Sequence, residues 1–108
     1  MPELDAEDQK LVTLARSARA RTQATEGAAL RDTDGRTYAA STVDLPSFHL
    51  TALQAAVAAA VSSGAEGIEA AVVVTAEGRL KEASVQAVRD IAEEAPVYLA
   101  DPAGKVLN

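Results

Sequence analysis

Hydrophobic positions along the chain change period several times, and the changes mark the elements. Leu11, Leu14, Ala15 and Ala18 recur at helical spacing. Glu3, Asp5, Glu7 and Asp8 crowd the start of that segment, and Arg16, Arg19 and Arg21 its end. This charge order complements a helix dipole and predicts an amphipathic helix from Glu3 to about Arg21. The arginines sit where helix ends favour cations, so they imply no partner. Two short runs, Gly27 to Leu30 and Thr37 to Ser41, flank Asp32-Thr33-Asp34-Gly35, an Asp-Gly hairpin signal. The calcium-loop pattern that Asp32 and Asp34 could begin is not completed downstream.

From Leu50 to Ser63 the residues Leu50, Leu53, Val57, Ala60 and Val61 form one helical stripe, closed by Ser63-Gly64. Thr51 followed three residues later by Gln54 fits a capping box at its start. Ile68 to Thr75, with Ala70 to Val74 unbroken, predicts a strand buried on both faces. A further helix is expected from about Ser84 to Glu94, with Val85, Val88, Ile91 and Ala92 inward. A closing strand at Pro96 to Ala100 precedes the turn Asp101-Pro102-Ala103-Gly104. Strands separated by helices of this length imply an α/β domain whose sheet has parallel crossovers and is covered by helices.

Composition narrows the chemistry. At 108 residues the chain makes one domain, 1–108. It is 48% hydrophobic, and 25 residues are alanine, so the expected core is small-grained and closely packed. There is no cysteine, which excludes disulfides, thiolate zinc sites, iron–sulfur sites and a cysteine nucleophile. A net charge of -6 repels phosphate backbones and anionic lipid, arguing against nucleic-acid and membrane-surface binding. The longest apolar stretch, Ala55 to Val61, is too short to span a bilayer. The opening Met1-Pro2-Glu3-Leu4-Asp5 is acidic where a signal peptide would be basic, so a cytoplasmic location is expected. No Walker loop, dinucleotide-binding glycine pattern, nucleophile elbow or His-Glu-x-x-His occurs.

Glu26-Gly27-Ala28-Ala29-Leu30, the Asp34-Gly35 turn and the strand after it resemble the cytidine deaminase family, whose corresponding stretch runs V-G-A-A-L, a short D-G turn, then a strand. Ala60-Val61-Ser62-Ser63-Gly64 resembles that family's first helix end, Val85 to Asp90 its second motif with Arg89 retained, and Pro96 to Gly104 its closing strand and turn. The resemblance implies a three-layer α/β/α sandwich: a mixed sheet with an N-terminal helix and β-hairpin, followed by parallel β-α-β units. It also implies a site in which one His or Cys and two Cys hold zinc, the metal generates hydroxide from water, and a glutamate shuttles protons.

Mapped through that resemblance, Thr51 falls at the first ligand, Leu53 at the glutamate, Val85 and Val88 at the two cysteines, and Ser84 at the proline before them. A hydroxyl and two isopropyl groups supply no zinc site, and leucine moves no proton. Thr51 and Ser84 are expected to cap helices, while Leu53, Val85 and Val88 fill the space with methyl groups. On the substrate side, Thr42 and Asp44 correspond to the family's ribose-holding Asn and Glu, and Ala24 replaces an aromatic. The competing reading of Thr42 and Asp44 is a polar strand end before Leu45-Pro46.

His49, the only histidine, lies on the run into a helix with no nucleophile or metal constellation around it. The pairs Glu66/Glu69 and Glu93/Glu94 are explained by solvation of helix ends. The expected protein is a catalytically inactive, zinc-free member of this fold, with no cofactor, forming a homo-oligomer, dimer or tetramer, and acting as a structural or binding module. The sequence stops at Leu107-Asn108, short of the segment by which many members complete a neighbour's site. Two alternatives stand beside this reading: nucleoside binding without turnover through Thr42, Asp44 and Phe48, and residual deaminase or hydrolase activity by a non-zinc route.

Overall fold

A computed structural model describes residues 4–108. A helix start at Glu3, and the location inferred from the first residues, fall on Met1 to Glu3 and so lie outside the described residues.

Helix α1 spans Ala6–Thr22 and is capped by Asp5, whose Oδ1 accepts the Asp8 N–H at 2.8 Å. Strands β1 (Glu26–Asp32) and β2 (Thr37–Ser41) form the expected hairpin. A short hairpin follows, β3 (Val43–Leu45) and β4 (Phe48–Leu50), which the hydrophobic pattern did not announce. Helix α2 is Ala52–Ser62, β5 is Ile68–Thr75, α3 is Glu82–Arg89 and β6 is Val97–Ala100.

The four-stranded sheet has the order β2-β1-β5-β6. β1 is antiparallel to β2 and to β5, and β5 runs parallel to β6 across the α3 crossover. Helix α1 covers one face, where Leu11, Val12 and Ala15 pack with Ala29, Ala70, Val72 and Val74. Helices α2 and α3 cover the other, where Leu53, Ala56, Val57 and Val88 pack with Ala28, Leu30, Ala71 and Val73. Alternate residues of β1 and β5 thus serve opposite layers, giving the expected α/β/α sandwich with a mixed sheet.

Small residues let the layers approach closely. A Cβ at Gly27 would collide with the Ala15 carbonyl oxygen and lie 2.8 Å from Arg19 Cβ. Two arginines of α1 serve the fold: Arg16 Nε donates to Pro102 O and Arg19 Nε to Thr25 O.

Beyond β6 the chain folds back along the sheet edge. Ala100 bridges Val106, Leu107 N–H donates to Leu99 O, and the Asn108 side chain accepts from Leu99 N–H and donates to Val97 O.

Three expectations are corrected. Val61 is 52% exposed, because α2 turns it away from the sheet while Ala52 and Ala56 face inward. Helix α3 begins at Glu82 and ends at Arg89 rather than running from Ser84 to Glu94, leaving Ile91 and Ala92 half-buried in the turns that follow. Ser84 therefore lies inside the helix and caps nothing; Lys81 holds the N-cap position without a side-chain hydrogen bond.

Candidate functional site

Helices α2 and α3 start near each other at one end of the sheet. The capping box of α2 forms as expected: Thr51 Oγ1 accepts the Gln54 N–H at 3.1 Å, and Gln54 Oε1 accepts the Thr51 N–H at 2.9 Å. The early start of α3 turns Ser84 and Val88, one turn apart, inward together and leaves Val85 half-buried. Val85 therefore does not share the buried position expected for it alongside Val88. Ser84 Oγ instead donates to Thr51 Oγ1 at 2.7 Å. Both lone pairs of that oxygen are thereby engaged. Leu53 and Val88 are fully buried in the same apolar cluster.

This donor set does not fit zinc. Two neutral hydroxyls bonded to each other beside aliphatic side chains offer no anionic or imidazole ligand. Among the described residues, no three His, Asp or Glu side chains converge as a metal site would need.

Outside this pair opens a cleft of about 390 Å³. Thr42, Asp44 and His49 line it from the β2–β4 side. Thr51 and Gln54 line it from α2, and Glu77 and Lys81 from the turn into α3. Thr42 and Asp44 are thus brought into one cleft, in different states, whereas Phe48, the third residue considered for nucleoside binding, is half exposed and does not line it. The Thr42 hydroxyl is committed to the backbone of Glu26, accepting from its N–H at 3.0 Å. Asp44 is exposed, and its Oδ1 lies 2.8 Å from Nδ1 of the exposed His49, its partner across β3–β4. That pairing leaves the other ring nitrogen of His49 for the cleft or solvent. Of the glutamate pairs, Glu66, Glu93 and Glu94 are exposed, and Glu69 lies on β5, not at a helix end, and pairs with Arg31 at 2.7 Å.

One residue escaped sequence reasoning. Glu26 opens β1 with the side-chain parity of Ala28 and Leu30, so it points toward the α2/α3 layer. It is fully buried, and neither carboxylate oxygen has a hydrogen-bond partner among the described residues. Lys81 Nζ stands 3.9 Å from Glu26 Oε2 and 3.7 Å from Glu77 Oε1. The signal in the sequence was an acidic residue immediately before the buried run Gly27-Ala28-Ala29-Leu30.

A mixed sheet thus lies between one helix and a helix pair, with a cleft at the paired helix starts. The family model "Cytidine deaminase-like" matches residues 4–104, and the chain belongs to that family. Cytidine deaminase from Burkholderia pseudomallei superposes with a TM-score of 0.79 at 22% identity, over 91% of this chain and 87% of that one. The Mycobacterium leprae enzyme gives 0.72 at 20% identity, over 95% and 93%. The Mycobacterium tuberculosis enzyme gives 0.72 at 22% identity, over 96% and 89%. At these identities the likeness establishes the fold. No curated protein sequence matches the chain. Among the described residues, no helix is long and apolar enough to cross a membrane.

Proposed function

We propose that this chain is a zinc-free, catalytically inactive member of the cytidine deaminase-like family, working as a homo-oligomeric binding or structural module. In this reading Thr51 stands at the first ligand position, Leu53 at the catalytic glutamate, and Val85 and Val88 at the paired cysteines. The observation that carries it is the Thr51–Ser84 hydroxyl pair at 2.7 Å beside the buried Leu53 and Val88. Whether Ser84 or Val85 takes the first cysteine position, the helix offers a hydroxyl or a methyl group where a thiolate would be required. Leu45 and Phe48, paired across the β3–β4 hairpin and each more than half exposed, form an apolar tip that supports burial against a second copy.

The test is metal content by elemental analysis of untagged protein, paired with a cytidine deamination assay. Zinc well below one per chain and turnover no faster than buffer are expected. Zinc near one per chain, or measurable turnover, overturns the proposal. Light scattering after size exclusion is expected to give a mass above that of one chain.

A second reading, nucleoside binding without turnover, is favoured by one observation: Thr42 and Asp44 line the same cleft as Thr51. Saturating cytidine or uridine would then raise the thermal midpoint by several degrees, because a ligand that binds only the folded state stabilises it. An unchanged midpoint removes this reading.

A further inference from the structure

Glu26 is poorly explained by folding alone. A buried carboxylate without hydrogen bonds is costly, and an apolar side chain of similar shape would serve the core better. Lys81 does not relieve it, since 3.9 Å is beyond hydrogen-bond reach and its ammonium is shared with Glu77. Lys81 is 29% exposed and lines the cleft, so its flexible stem separates the carboxylate from the open space.

We propose that Glu26 anchors a ligand subsite at the closed end of the cleft. Its ligand carries a fork of two N–H donors, as an amidinium or guanidinium group does. Two unpartnered carboxylate oxygens are the acceptor pair that such a fork satisfies in parallel. Lys81 acts as an internal plug that swings outward when the ligand arrives. Charge favours the same class: the carboxylates of Asp44 and Glu77 line the cleft against one lysine, Lys81, and Glu26 is buried next to that lysine. A cleft of about 390 Å³ is large enough for a small ring carrying this group. The proposal rests on reading the cleft as a binding site, and stands apart from whether the chain holds zinc or turns over a substrate.

The experiment titrates benzamidine, with its isostere benzamide as control, into the full chain, following amide NMR shifts and the thermal midpoint. Saturable benzamidine binding is expected, with benzamide weaker by roughly tenfold or more, because an amide offers the carboxylate pair one donor group in place of a fork. Glu26→Gln is expected to raise the thermal midpoint while weakening benzamidine roughly tenfold or more, the combination a purely structural ion pair would not produce. Lys81→Ala, which removes the plug, is expected to tighten binding. Absence of saturable benzamidine binding, equal binding of the two probes, unchanged affinity in Glu26→Gln, or lost affinity in Lys81→Ala each overturns the proposal. If Glu26→Gln fails to fold, the probe ratio and Lys81→Ala decide it. Zinc or deaminase turnover would overturn the function proposed above, whereas the benzamidine affinities depend on neither.

Discussion

Ser84 donates its hydroxyl to Thr51 Oγ1 at 2.7 Å, joining the first turn of α3 to the residue that caps α2. The two groups contribute unequally. Thr51→Ala removes the cap and the acceptor for Ser84, and is expected to cost about 2 kcal/mol, whereas Ser84→Ala leaves the capping box intact and costs about 1 kcal/mol. Urea midpoints of both variants check the order. Equal losses would mean that the cap adds nothing beyond the pair.

Asp8 and Glu69 both hold Arg31, at 2.9 and 2.7 Å, but their side chains differ in exposure, 11% against 46%. Burial decides which partner matters, because removing Asp8 strands a largely buried guanidinium. Asp8→Ala is expected to cost about 3 kcal/mol, and Glu69→Ala about 1 kcal/mol or less. Denaturant unfolding of the two variants tests this, and the shorter contact proving the more valuable would refute it.

Asp32 binds its own turn. Burial raises its carboxyl, but N–H bonds from Arg36 and Asp34, the Tyr38 hydroxyl and the Arg36 charge outweigh burial and hold it below its ordinary 3.8. A depressed folded value means stability that is fully present above the unfolded value and lost as pH falls through the folded one. The stability gap between wild type and Asp32→Asn is therefore expected to be widest at neutral pH and to shrink below pH about 4. Unfolding free energies measured from pH 7 down to pH 3 check it. Parallel loss in both proteins would place the acid sensitivity elsewhere.

Gly27→Ala drives a methyl group into the Ala15 carbonyl and the Arg19 stem. Neither is the free end of a flexible side chain, so α1 must lift from the sheet, and a loss of about 3 kcal/mol is expected. Far-UV circular dichroism melts would show it, and a midpoint within a degree or two of wild type would mean that α1 is already loosely seated.

Legibility in the sequence followed the strength of the local signal. The valine run of β5, the Asp-Gly turn after β1 and the Thr51-Gln54 box were readable because each is complete within a few residues. The β3–β4 hairpin was not, because three-residue strands flanking Pro46-Ser47 carry no measurable alternation. Ser84 suggested a helix start because serine favours caps, yet tertiary packing placed Lys81 there without a side-chain bond. At the candidate site, Thr42, Asp44 and Thr51 could be gathered by resemblance and do line one cleft. Glu26 could not, since its burial arises from strand parity and from the helices laid over it.

The edges of the sheet differ in what they offer. The outer edge of β6 is occupied by Val106, Leu107 and the Asn108 amide. β2 stands at the other end with no strand outside it among the described residues. A sheet open on one side only can join a copy of itself once, edge to edge, and the union is then closed. Among the described residues, a strand added to this sheet would therefore meet β2.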